Sequence, residues 1–152
     1  MEVSDIRKLY NDKDKLHNFS HILRIKKYAD VIKKNYKVHE GLLRFILLFH
    51  GAKDYVVKNK DKFDSNYVKS LLRHNKNPQK IEEKIVHDAN ALDNIGKEGI
   101  RKALYVGKIK GRSVEETKDY VRKELKKLKF YTEEGREMAQ DKFKIISKWT
   151  KD

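Results

Sequence analysis

The sequence predicts an all-α protein. Three observations carry that reading: one Pro and seven Gly in 152 residues, no useful stretch of period-two alternation, and straight-chain helix formers whose apolar members recur at spacings of three and four. A first short helix is expected from Val3 to Tyr10, ended by the turn-prone Asn11-Asp12-Lys13-Asp14. A second is expected from near Asn18 to Asn35, where Ile22, Ile25, Tyr28, Ala29 and Ile32 form one inward stripe and Lys26, Lys27, Lys33 and Lys34 lie outside it. Glu40 to Val57 holds Leu42, Leu43, Phe45, Ile46, Leu47, Leu48 and Phe49 in near succession, so this third helix is expected at the centre of the core. Ser65 or Asn66 is expected to cap a short helix reaching Arg73 and His74. Asn77-Pro78 is expected to start another, with Ile81, Ile85, Ala89 and Leu92 on its apolar side. Gly96, Gly99, Gly107 and Gly111 punctuate the next stretch, leaving Ile100 to Val106 as a short helix. Ser113-Val114-Glu115-Glu116 has the pattern of a capping box. Thr132 and Gly135 open a last helix of about five turns that Trp149 helps to close.

Composition narrows the class further. Apolar and charged residues make up 38% and 39%, but the apolar ones cluster at helical spacing, which argues for a folded core under a charged surface rather than disorder. The length suits one domain, expected to span residues 1–152. With no Cys, a metal would have to be held by His, Asp or Glu, and the chain is compatible with a reducing cytoplasm. No apolar run approaches the roughly 18 to 20 residues that span a bilayer, and the N-terminus lacks a signal-peptide core. A cytoplasmic protein with no membrane partner is expected.

The net charge of +14 draws polyanions. Lys outnumbers Arg by 29 to 8 and is spread along nearly every segment, without the clustered Arg and interleaved aromatics that base recognition uses. Nucleic acid is therefore not the favoured partner.

Several residues are candidates for chemistry. His21 lies four residues after His17 and three before Arg24, so all three can share a side of the helix or its leading turn. His50 ends the long apolar run, and is either a satisfied core histidine or a group delivered from a rigid helix into a cavity. Asp88 stands beside the stripe of Ile85, Ala89 and Leu92, where a carboxylate needs a cation, a hydrogen bond or a metal.

Together these stretches resemble the HD superfamily of metal-dependent phosphohydrolases. The resemblance rests on His21-X2-Arg24, a hydrophobic helix ending in His50 and an apolar turn leading to Asp88, and is specific to the small stand-alone HD hydrolases of bacteria and archaea. Their DADxLDxxG motif is matched by Asp88-Ala89-Asn90-Ala91-Leu92-Asp93-Asn94-Ile95-Gly96, followed by Gly99-Ile100-Arg101, and YTEEGREMAQDKF is similar to their T-x-x-G-R-x-x-A segment. The likeness runs from about Lys15 to Trp149. It implies an HD-type bundle of about six to eight helices around a central metal-site cavity, with a divalent cation held by His21, His50, the Asp after it, and Asp88. His74 would serve nearby for phosphate or a second ion, and Arg24, Lys53 and Arg101 would hold the phosphate.

Mixed imidazole and carboxylate ligands suit Mn, Fe, Co, Ni or Zn. Such an ion polarises phosphoryl oxygens and acidifies a bound water. The expected substrate is a phosphate ester, with a nucleotide foremost. Three positions depart from the pattern: Gly51 replaces the name-giving Asp, Asn90 replaces the second Asp of DAD, and His87 replaces a neutral polar residue. Asp54, four residues after His50, is the candidate substitute ligand if the helix continues through Gly51. His87 is expected to point away from Asp88. Gly51 and the +14 charge support a competing expectation, a catalytically inactive HD scaffold that binds nucleotide or nucleic acid.

Overall fold

A computed structural model describes residues 1–13 and 18–151; His17, expected beside His21, lies outside them. The described residues form nine α-helices and no strand, as the composition and periodicity require. The helix count exceeds the expected six to eight because the third expected helix divides. The chain falls into two compact units, Met1–Ala89 and Asn90–Asp152.

The first unit contains α1 (Val3–Lys8), α2 (Phe19–Ile32), α3 (Glu40–Phe49), α4 (Lys53–Lys58), α5 (Ser65–Arg73) and the start of α6 (Ile81–Asp93). In α2 the stripe Ile22, Ile25, Ala29 and Ile32 is buried, and the Asn18 side chain caps the first turn by accepting from the Ser20 amide, satisfying an N–H that the helix leaves open. The run that looked like one helix from Glu40 to Val57 breaks at residues 50–52, where Ala52 leaves helical geometry (φ −130°, ψ 37°). Its α3 half buries Leu42, Leu43, Ile46, Leu47 and Phe49 and packs on α2 and α5. Phe45, Phe49, Phe63 and Tyr67 form a contiguous cluster, with ring centroids 4.9 to 5.6 Å apart. The cap of α5 is Asp64, whose carboxylate accepts from the Asn66 and Tyr67 amides, rather than Ser65 or Asn66. The next helix starts at Ile81, three residues after Pro78.

The second unit holds the end of α6 and α7 (Gly96–Ile109), α8 (Val114–Lys127) and α9 (Glu133–Lys151). The glycines expected to bound a short helix lie inside α7, because Gly99 and Gly107 are buried at close approaches. A Cβ on Gly107 would run into Thr117 of α8, so its absence lets the helices pack. Gly96 supplies the left-handed corner before α7 (φ +77°). The capping box is present: Glu116 N–H donates to Ser113 Oγ and Ser113 N–H to Glu116 Oε1, both at 3.1 Å. Phe143 and Trp149 are half-buried. Phe143 meets Phe130 edge-on, and the Lys118 ammonium lies 5.8 Å from the Trp149 ring.

Candidate functional site

Three helices of the first unit bring histidines together. His21 is on the first turn of α2, and His50 and His74 are the residues at which α3 and α5 end. The His21 and His50 rings are 5.5 Å apart between centroids, and His50 and His74 are 5.0 Å apart. His74 is fully buried and His21 is 7% exposed.

Hydrogen bonds assign the tautomers of the inner pair. His74 Nδ1 is 2.5 Å from the Leu71 carbonyl, which accepts, so Nδ1 carries the hydrogen and Nε2 the lone pair. His50 Nδ1 lies 2.8 Å from that Nε2 and must donate. The lone pair of His50 is thereby placed on its own Nε2, the form in which a histidine accepts a proton or a cation, with His74 orienting the ring.

Burial pushes the His74 pKa down to about 4, with the Lys53 and His87 charges acting in the same direction and the Leu71 bond opposing them. The neutral ring is therefore the folded form at neutral pH. Between its ordinary value of 6.5 and about 4 the unfolded chain binds a proton that the folded chain refuses, so His74 contributes stability above that window and loses it as pH falls through it. The expected loss from this residue is about 3 kcal/mol between neutral pH and pH below 4. Denaturant titrations across that range check it: His74→Asn should flatten the acid limb, and an unchanged limb would assign the loss elsewhere.

Asp88 is fully buried on α6. Its Oδ1 accepts from His87 Nδ1 at 3.0 Å. His87 therefore does not point away as expected: its side chain is only 16% exposed and its ring meets the neighbouring carboxylate. Lys53 opens α4 half-buried, and its pKa is lowered by burial first and by the Lys76 cation second. Arg24, one turn beyond His21, reaches Ser20 Oγ at 3.4 Å. Arg101 belongs to the second unit, 79% exposed and paired with Glu98.

The end of α5, which carries His74, and the start of α6, the helix of Asp88, are tied by a buried clamp that sequence reasoning missed. Glu83 on α6 is fully buried and receives Arg73 Nε at 2.6 Å, Arg73 Nη2 at 2.7 Å, Ser70 Oγ at 2.9 Å and the Gln79 amide at 3.1 Å. Burial alone would raise its pKa, yet Arg73 and the other donors hold it below the ordinary carboxylate value. The EEK triplet carries no local sign of this pairing.

Position 51 is the second surprise. A Cβ built there would lie 2.8 Å from Cε1 of Tyr10, a ring that is 2% exposed. The Tyr10 hydroxyl donates to the Leu48 carbonyl at 2.6 Å and accepts from the Gly51 amide at 3.1 Å. Leu48 is in the last turn of α3, whose carbonyls have no partner within the helix, and Tyr10 supplies one. Asp54 cannot share a helical face with His50, because α3 stops at Phe49 and α4 begins at Lys53. It is exposed, and its charge is felt at the Tyr10 phenol, whose pKa is raised to about 12 chiefly by burial.

These residues do not make up a four-ligand metal centre. Gly51 offers no donor, Tyr10 stands in its space, and among the described residues no three His, Cys, Asp or Glu side chains are grouped to hold an ion. What they do form is a row of three imidazoles within reach of the charge of a partly desolvated lysine, a setting that attracts anions.

No family model and no curated protein matches the chain. Solved structures do. The chain is similar to the Lin1889 protein from Listeria innocua (TM-score 0.72, 24% identity, 99% of this chain and 94% of that one). It is also similar to Bacillus subtilis YpgQ in complex with ADP (0.78, 18%, 98% and 89%). A third similar structure is described as a predicted HD superfamily hydrolase from an uncultured Thermotogales bacterium (0.61, 20%, 98% and 87%). The chain thus has the helical fold that the sequence resemblance implied.

Proposed function

We propose that this chain is a single-domain, divergent member of the HD superfamily of metal-dependent phosphohydrolases and that it takes the phosphate groups of a nucleotide at His50 in its imidazole row, where Nε2, once protonated, donates to a phosphate oxygen. The observation that carries the reading is the meeting of His21, His50 and His74, delivered by three helices from separate parts of the sequence. The Lys53 charge, close enough to be felt at His74, adds an anion-attracting cation. The ADP bound to the YpgQ structure makes a nucleoside diphosphate the natural first probe.

Hydrolysis is proposed to be impaired relative to a site with all four expected ligands, since position 51 contributes none. A second reading, an inactive scaffold that binds without cleaving, is favoured by the packing of Tyr10 against Gly51.

Calorimetry with ADP tests binding, and phosphate release from ADP and from simple phosphomonoesters and phosphodiesters with added Mn or Ni tests turnover. Saturable ADP binding is expected, weakened roughly tenfold or more by His50→Ala with the circular dichroism unchanged. Binding that ignores His50→Ala and falls equally for every polyanion with salt would be counterion release, and would sink the proposal. Slow release abolished by His50→Ala supports the enzyme; binding without release assigns the scaffold.

A further inference from the structure

We infer that Tyr10 occupies the place of the missing carboxylate: its ring fills the space that a side chain at residue 51 requires, and its hydroxyl holds the turn after His50. The site is therefore closed to a fourth ligand by two residues rather than one. Position 51 sits at the break between α3 and α4, with its amide donating to the Tyr10 hydroxyl while the same hydroxyl donates to the Leu48 carbonyl. Those two bonds fix the phenol on both sides of His50. Tyr10 is itself pinned by Phe19 of α2, edge-on at 5.5 Å, so its ring is not the loose end of a flexible side chain. A Cβ at 2.8 Å from Cε1 therefore requires the ring or the turn to shift. Tyr10 is thus a positioning residue for His50, acting through the turn and not by touching a ligand.

The inference rests on the proposed function only for the carboxylate expected at residue 51; the competition between the two side chains stands on the packing. The test compares Gly51→Asp, Tyr10→Ala and the double variant in the full chain, by unfolding midpoint and by Ni binding. Gly51→Asp alone is expected to lower the midpoint by roughly 5 °C or more without tightening Ni binding. In the double variant the stability losses should fall short of additive, because Tyr10→Ala vacates the space that Asp needs. The double variant is also expected to bind Ni at least about tenfold more tightly than either single one.

Additive losses, or tight Ni binding by Gly51→Asp with Tyr10 in place, would overturn the inference. Losses short of additive with no gain in Ni binding would uphold the packing competition and count instead against the HD reading. Should the double variant not fold, Tyr10→Phe keeps the ring and removes the hydroxyl. The Gly51 amide is then expected to exchange with solvent about tenfold faster, and an unchanged rate rejects the role of the hydroxyl.

Discussion

Tyr10→Ala is expected to lower the unfolding free energy by about 4 kcal/mol, within the roughly 3 to 5 kcal/mol cost of deleting a buried aromatic ring. The ring is 2% exposed and packs on Phe19, so its loss leaves a cavity between α1, the start of α2 and the end of α3. Two backbone groups lose their partner as well, the Leu48 carbonyl and the Gly51 amide. Tyr10→Phe separates the contributions: it keeps the packing, removes only the hydroxyl, and should cost about 1 to 2 kcal/mol. Urea unfolding followed by circular dichroism measures both. Losses of equal size would mean that the hydroxyl carries the whole effect, and a loss under about 1 kcal/mol for Tyr10→Ala would show that α1 does not brace the site.

Arg73→Met should be comparably damaging, by about 3 to 5 kcal/mol, because it strips the cation from a fully buried carboxylate while roughly keeping side-chain bulk. Glu83 would retain Ser70 and the Gln79 amide, which are too few to stabilise a buried anion. The pH dependence distinguishes this from a packing defect. In the natural chain the Glu83 pKa is held low, so its ion pair contributes stability at neutral pH that is lost as pH falls through the folded value. In Arg73→Met the carboxyl is freed to take up a proton, and the gap between natural and variant chains should narrow toward acid. A second substitution, Glu83→Gln, placed on Arg73→Met should recover part of the loss, which a cycle of the four proteins measures. Full additivity would deny the clamp. Because Arg73 precedes His74 and Glu83 lies on the helix of Asp88, the same variant is expected to weaken ADP binding as well.

The helices were largely legible because their signals are local. The Ile22, Ile25, Ala29 and Ile32 stripe is a matter of spacing within a few turns, and the Ser113 and Glu116 capping box spans four residues; both hold in the structure. The errors trace to contacts that the local pattern does not carry. Residues 40–57 are apolar enough to look like one helix, but the chain turns at Gly51, where the Tyr10 phenol takes the amide and the Leu48 carbonyl. The helix expected from Ile100 to Val106 extends over Gly96–Ile109, since glycine weakens a helix without ending it when a close neighbour rewards its lack of a side chain.

For the candidate site, the sequence by itself determined the chemical inventory: imidazoles and carboxylates but no thiol, a histidine at the end of an apolar helix, and a glycine where a ligand is expected. Only the tertiary structure decided how those groups are used. It set His50 against His74, turned His87 back onto Asp88, left Asp54 on a separate helix, and put Tyr10 into the space beside Gly51. The physical reason is range. A helix follows from hydrogen bonds and side chains a few residues apart, whereas Tyr10 and Gly51 are 41 residues apart and meet only because burying the apolar faces of α1, α2 and α3 folds the chain back on itself, a packing outcome that no short stretch of sequence encodes.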